Sequence, residues 1–149
     1  MSVASPVPPE APDADVPAEA WRRWVDEMPP SREWGLRCVS AAPGEVVVRF
    51  TGGGFPLNPN GSIHGGLVIA IADQVIGLCA ATRAPGKLPA TATLNTSFLR
   101  PAFGALVYTA RVIQAGRTLI FLEATATDEQ DRICATFTGT WAVGGAVPR

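Results

Sequence analysis

Asn58-Pro59-Asn60-Gly61-Ser62-Ile63-His64-Gly65-Gly66-Leu67-Val68-Ile69-Ala70-Ile71-Ala72-Asp73-Gln74-Val75-Ile76-Gly77 decides how this chain folds. It closes a loop dense in Gly, Pro and Asn that starts at Thr51, and it opens a helix expected over Gly65 to Thr82. That helix is apolar almost all the way round, with Asp73 its only formally charged side chain. Such a helix has no face to give to water and must be wrapped by protein on most sides. Its longest apolar run, Leu67 to Ala81, is 15 residues and includes Asp73 and Gln74. A membrane span needs about 20 apolar residues, so a buried helix is expected.

Strand patterns flank the helix on both sides. Leu36 to Ala41 and Glu45 to Phe50 read as two short strands turned at Pro43-Gly44. After the helix, Ala90 to Leu99 sets Thr91, Thr93, Asn95 and Ser97 against Ala92, Leu94 and Phe98. Ala105 to Gln114, Thr118 to Asp128 and Ile133 to Val143 complete the set, with turns at Gly116-Arg117 and at Glu129 to Arg132. Upstream, Ala18 to Met28 has helical spacing that places Trp21, Trp24 and Val25 together, and Pro29-Pro30 end it. The order predicts an α+β fold in which an antiparallel sheet curls around one long apolar helix.

The chain has 149 residues, which suits one domain with a proper core. We expect that domain over residues 18–149, preceded by a disordered arm over residues 1–17 that is rich in Ala, Pro and acidic side chains. The arm has neither the charged start and apolar core of a signal peptide nor the arginines of a transit peptide. The three cysteines, Cys38, Cys79 and Cys134, are odd in number and lack CxxC spacing. A reducing compartment is therefore expected, pointing to the cytoplasm. A formal net charge of −1 gives no global attraction to nucleic acid or to an anionic membrane, and neither is expected as a partner. One histidine and no clustered Cys/His spacing offer no metal site, and no phosphate-binding loop or dinucleotide fingerprint implies another cofactor.

Two sets of residues carry chemistry. A lone buried carboxylate costs several kcal/mol unless it has a partner or a purpose, so Asp73 reads either as a catalytic acid-base group or as a helix residue that meets solvent or an arginine. His64-Gly65-Gly66 stands where the loop becomes the helix. Helix N-termini expose unpaired N–H groups, and glycine lets a ligand approach them, which suits an anion or a polarised carbonyl; a tight turn alone explains the glycines equally simply. Gly65 and Asp73 are eight residues apart, roughly 12 Å along one helix. An oxyanion donor and an attacking group must each lie about 3 Å from one reacting centre. If both act, two antiparallel copies of the helix must share each site, and the protein is at least a dimer.

The run Asn58 to Gly66, followed by Asp73, resembles the hotdog-fold acyl-CoA thioesterases of the PaaI-like, phenylacetate-pathway branch. Thr91-Ala92-Thr93-Leu94-Asn95-Thr96-Ser97-Phe98-Leu99-Arg100-Pro101, Gly116-Arg117 and Phe121 to Thr127 are also similar to that family. The resemblance covers roughly Leu36 to Val143. It implies hydrolysis of an acyl- or aryl-CoA to the free acid and CoA, in a homo-oligomer commonly built as a dimer of dimers. It also implies that Gly65 donates its N–H to the thioester carbonyl, that Asn58 holds the thioester or water, and that His64 organises the turn. Asp73 of the neighbouring subunit would activate water or attack directly, and Thr91 would position water beside it. Gly66 would belong to the binding turn. Gly77 stands where some of the wider superfamily carry a hydroxyl, and it leaves room for the acyl group instead.

Coenzyme A carries phosphates, so basic residues are expected at the cleft mouth: Arg83 and Lys87 past the helix, Arg100, and Arg117 at a turn, each of which could equally be a solvated surface charge. Two other functions fit the same fold. A non-catalytic acyl-thioester binding module would gain little from Asp73. A hydratase or dehydratase would need a histidine working with a carboxylate, and His64 is committed to its turn.

Overall fold

The computed structural model describes residues 8–144. The elements run α1 (Ala18–Glu27), α2 (Pro29–Glu33), β1 (Leu36–Ala42), β2 (Glu45–Phe50), α3 (Gly65–Ala81), β3 (Ala90–Phe98), β4 (Leu106–Ala115), β5 (Leu119–Thr127) and β6 (Ile133–Ala142). All six strands form one antiparallel sheet in the order β1-β2-β4-β5-β6-β3. The expected α+β arrangement is therefore the one observed, with α3 packed across the sheet.

One stripe of α3 explains why the helix sits there. Val68, Ile71, Ala72, Val75, Ile76, Cys79 and Ala80 recur at three- and four-residue spacing and are all buried. They meet inward residues of the sheet such as Val48, Phe50, Leu106, Tyr108, Leu122 and Phe137, also buried. Each fully buried valine or isoleucine contributes about 2 kcal/mol. Tyr108 places its hydroxyl among these groups and donates to the Val68 carbonyl at 3.1 Å. The opposite stripe, Ile69, Ala70, Asp73, Gln74, Gly77 and Ala81, is only half-buried. The sheet thus covers one side of α3, and the wrapping expected on most sides is incomplete within one chain.

Two kinds of local feature were not expected. Pro29 and Pro30 end α1 as predicted, but they also start the short α2, because proline is tolerated at the first helical positions. Register shifts interrupt β1 between Cys38 and Ser40, β3 between Thr91 and Thr93, and β4 between Val112 and Gln114. Each adds twist, which a sheet needs in order to curl around a helix.

The two sheet edges differ. Along β1, α1 packs closely, and the Asp26 carboxylate accepts the Cys38 N–H at 2.7 Å. Along β3 the outer side has no strand among the described residues, and most of its side chains are exposed. An open edge presents a row of unpaired backbone groups.

The arm expected over residues 1–17 lies in part, residues 1–7, outside the described residues. Residues 8–17 have a place against the domain: Ala11 and Val16 pack on the core, and the Trp24 indole N–H donates to the Pro9 carbonyl at 3.0 Å. Among the described residues no helix is long and apolar enough to cross a membrane.

Removing the Tyr108 hydroxyl tests the bond between sheet and helix. Tyr108→Phe should lower the unfolding free energy by about 1 kcal/mol in urea titration, and unchanged stability would mean that the bond contributes nothing.

Candidate active site

The loop before α3 is built by Asn58. Its Oδ1 accepts the N–H groups of Asn60 at 3.0 Å and Ser62 at 3.1 Å, and its Nδ2 donates to Ser62 Oγ at 2.8 Å. Backbone bonds from Asn58 N–H to the Ser62 carbonyl and from Gly61 N–H to the Asn58 carbonyl close the turn. Gly61 takes a φ of 76°, which favours glycine. His64 is the N-cap of α3, and its Nδ1 accepts the Gly66 N–H at 3.2 Å. The next two N–H groups, Leu67 and Val68, reach the His64 carbonyl. Among the described residues the Gly65 N–H finds no acceptor. It stands at the positive end of a 17-residue helix.

A cavity of about 400 Å³ opens at this point, lined by Asn58, Ser62, Gly65, Phe98, Arg100 and Cys134 among others. Phe98 lies against Gly65, and a β-carbon at that position would stand 3.3 Å from its ring. Arg100 lines the same cavity with Nε donating to the Ile133 carbonyl at 3.0 Å, which leaves its other guanidinium N–H groups to a ligand.

Asp73 and Thr91 form a second cluster, two turns further along α3. Thr91 Oγ1 donates to Asp73 Oδ1 at 2.7 Å. Asp73 is half-buried, and among the described residues it pairs with no arginine or lysine. Of the alternatives open from sequence, the arginine partner is therefore not the one adopted. The carboxylate faces a separate cavity of about 640 Å³, shared with Gln74, Gly77, Lys87, Thr91 and Trp141. A β-carbon on Gly77 would stand 3.4 Å from Trp141 Nε1, so the indole packs up to the helix at this glycine.

The remaining basic residues separate from these clusters. Arg83 runs past the β1–β2 turn, with its guanidinium and stem nearest Gly44. Arg117 sits at the β4–β5 turn; neither residue lines the two cavities. Trp141, Gln74, Phe98 and Cys134 line the cavities without having been singled out from sequence. Gln74 could have been found, as the polar neighbour of Asp73 on an apolar helix. The others arrive from distant strands and carried no local signal.

None of the three cysteines suits nucleophilic work. Burial pushes Cys38 and Cys79 up to about 12, with Asp26 adding to the effect at Cys38, and burial also raises Cys134. Thiols held there stay protonated at neutral pH.

A family model described as the thioesterase superfamily matches residues 60–135, which hold α3, β3, β4, β5 and the start of β6. The chain belongs to the thioesterase superfamily. Its fold is the hotdog fold, as the sequence resemblance implied. The E. coli PaaI protein from the phenylacetic acid degradation operon superposes with a TM-score of 0.73 at 25% identity, over 78% of this chain and 85% of that one. Human acyl-coenzyme A thioesterase 13 is 33% identical over 99 residues, 63% of this chain and 69% of that protein. A putative esterase of Saccharolobus solfataricus is 33% identical over 84 residues, and the match spans 56% of each chain.

Asn58→Ala should loosen the turn that presents Gly65. Hydrogen exchange at the Asn60 and Ser62 amides is expected to quicken roughly tenfold, the equivalent of one lost hydrogen bond, while α3 stays protected. Unaltered exchange at both amides would show that the turn holds without Asn58.

Proposed function

We propose that this protein hydrolyses acyl-CoA thioesters to the free acid and CoA, in sites shared between two copies of the chain. The observation that carries this reading is the separation of the two clusters. Gly65, with its free N–H, lies about 12 Å along α3 from Asp73, and the two open into different cavities. Both clusters border the open edge strand: Thr91 stands at the start of β3 and Phe98 at its end. Antiparallel pairing of β3 with β3 of a second copy, about an axis near the middle of the strand, sets the start of β3 in one chain, at Thr91, beside its end, at Phe98, in the other. It would bring Asp73 toward the Gly65 cavity of its neighbour and would pair the unsatisfied edge.

In such a composite site the Gly65 N–H and the α3 dipole polarise the thioester carbonyl and hold the oxyanion that forms. One donor of this type is worth about 3–4 kcal/mol. Asp73, oriented by Thr91, takes a proton from water as it attacks the carbonyl carbon, or attacks directly to form a mixed anhydride that water then cleaves to the free acid and the Asp73 carboxylate. The tetrahedral intermediate collapses with release of the CoA thiolate, which leaves readily because a thiol is far more acidic than an alcohol. Asn58 and His64 hold the turn that aims the Gly65 N–H. The free N–H groups of Arg100, beside the Gly65 cavity, suit a phosphate of CoA. Exposed apolar side chains on the outer face of the sheet, Leu119 and Phe121, favour a further pairing of dimers into a tetramer.

Thiol release from a panel of aryl and straight-chain acyl-CoAs tests the reading. Asp73→Asn should lower kcat/KM by at least about a hundredfold, within the range of a general base, with the oligomer intact. Co-expressed Asp73→Asn and Asn58→Ala subunits should recover roughly a quarter of wild-type activity, because half of statistically mixed dimers carry one unmutated composite site. Recovery no greater than that of the separate variants would place both groups in a single chain's site. Binding without hydrolysis by the wild type would leave a thioester-binding module as the function.

A further inference from the structure

The cavity beside Asp73 has a wall that does not come from the segment shared with the family. Pro8, Pro9, Glu10, Ala11 and Asp13 line it, together with Trp24 of α1 and Met28 just past it, whereas the family match begins at residue 60. Across the cavity stand Gly77 and Leu78 of α3 and Trp141 of β6. Trp141 fits because Gly139 carries no side chain: a β-carbon there would stand 2.7 Å from the indole ring. The aromatic face is thus fixed from the sheet side, and the arm closes the space from the other.

Two features hold the arm in place. Trp24 is buried, and its indole N–H donates to the Pro9 carbonyl, while Ala11 and Val16 pack on the core. Pro8, Pro9 and Pro12 fix their own φ angles, so the arm loses less entropy on docking than an unconstrained segment. Its charges matter as well. Glu10 and Asp13 join Asp73 around a cavity whose only lining cation among the described residues is Lys87. An anionic acyl group would meet three carboxylates there.

We propose that residues 8–13 form the far wall of the acyl pocket, that Trp24 is the positioning residue fastening this wall, and that the pocket accepts an uncharged acyl group of limited length. The inference rests on the thioesterase reading for the identity of the occupant. Without the wall, a long acyl chain gains space, and a short one loses apolar surface against which to bury.

Calorimetric binding of non-hydrolysable thioether analogues of butyryl-, octanoyl-, dodecanoyl- and succinyl-CoA tests this on the full chain, on a variant lacking residues 1–15, and on Trp24→Phe. The full chain should bind succinyl at least about tenfold more weakly than butyryl. Truncation should raise the affinity ratio of dodecanoyl to butyryl by about tenfold or more, comparable to the burial of two methylenes. Trp24→Phe keeps an aromatic ring but loses the five-membered ring of the indole with its N–H, the donor to Pro9, and should move the ratio in the same direction; it carries the test if the truncated chain fails to fold. An unchanged ratio in the folded variants, equal affinity for succinyl and butyryl, or no binding by the full chain overturns the proposal. Hydrolysis of the corresponding thioesters is assayed separately. Its absence, with the shift in binding intact, would count against the thioesterase reading and not against the wall.

Discussion

Keeping the apolar side of α3 from water is the constraint on which the rest of the molecule depends. Val68, Ile71, Val75 and Ile76 have no other place to go, and the sheet has to bend to reach them. The register shifts in β1, β3 and β4 supply that bend. Where a polar group is caught against this face it is satisfied locally: the Tyr108 hydroxyl reaches the Val68 carbonyl, and the Cys79 thiol points to the Ala110 carbonyl at 3.6 Å. Because the sheet-facing stripe is filled by apolar residues, the one acid of the helix falls on the other stripe. Asp73 is thereby both held by the rigid core and turned toward a cavity.

The second organising feature is the unequal treatment of the sheet's edges. β1 is protected by α1 and by the carboxylate of Asp26, whereas β3 is left open. An exposed edge carrying Phe98, with Leu99 just beyond it, is an aggregation hazard unless it is paired. The open edge is also the edge at whose two ends the polar clusters lie.

Cavity shape at both clusters depends on where side chains are missing. Gly65 meets the Phe98 ring, Gly77 meets the Trp141 indole nitrogen, and Gly139 lies beneath the indole ring. Each glycine makes room for an aromatic residue from another element, and in each case the aromatic group defines the wall. The close packing of protein interiors makes such sites sensitive to a single methyl group.

The sequence by itself determined the helix, the strands around it, their α+β arrangement and the special standing of Asp73, because all of these follow from local periodicity and from the cost of burying charge. The family resemblance gave His64 the turn before the helix, but it had Asn58 holding the thioester or water, whereas the Asn58 side chain bonds Asn60 and Ser62 within the turn. The resemblance implied a place for Thr91 beside Asp73; only the tertiary structure decided that the two side chains bond directly, that among the described residues no arginine pairs with Asp73, that Arg83 and Arg117 lie away from the two cavities, and that Trp141 and residues 8–13 close one of them. Those contacts join residues far apart in the chain, and no periodicity records which strand or arm will arrive beside a given helix turn.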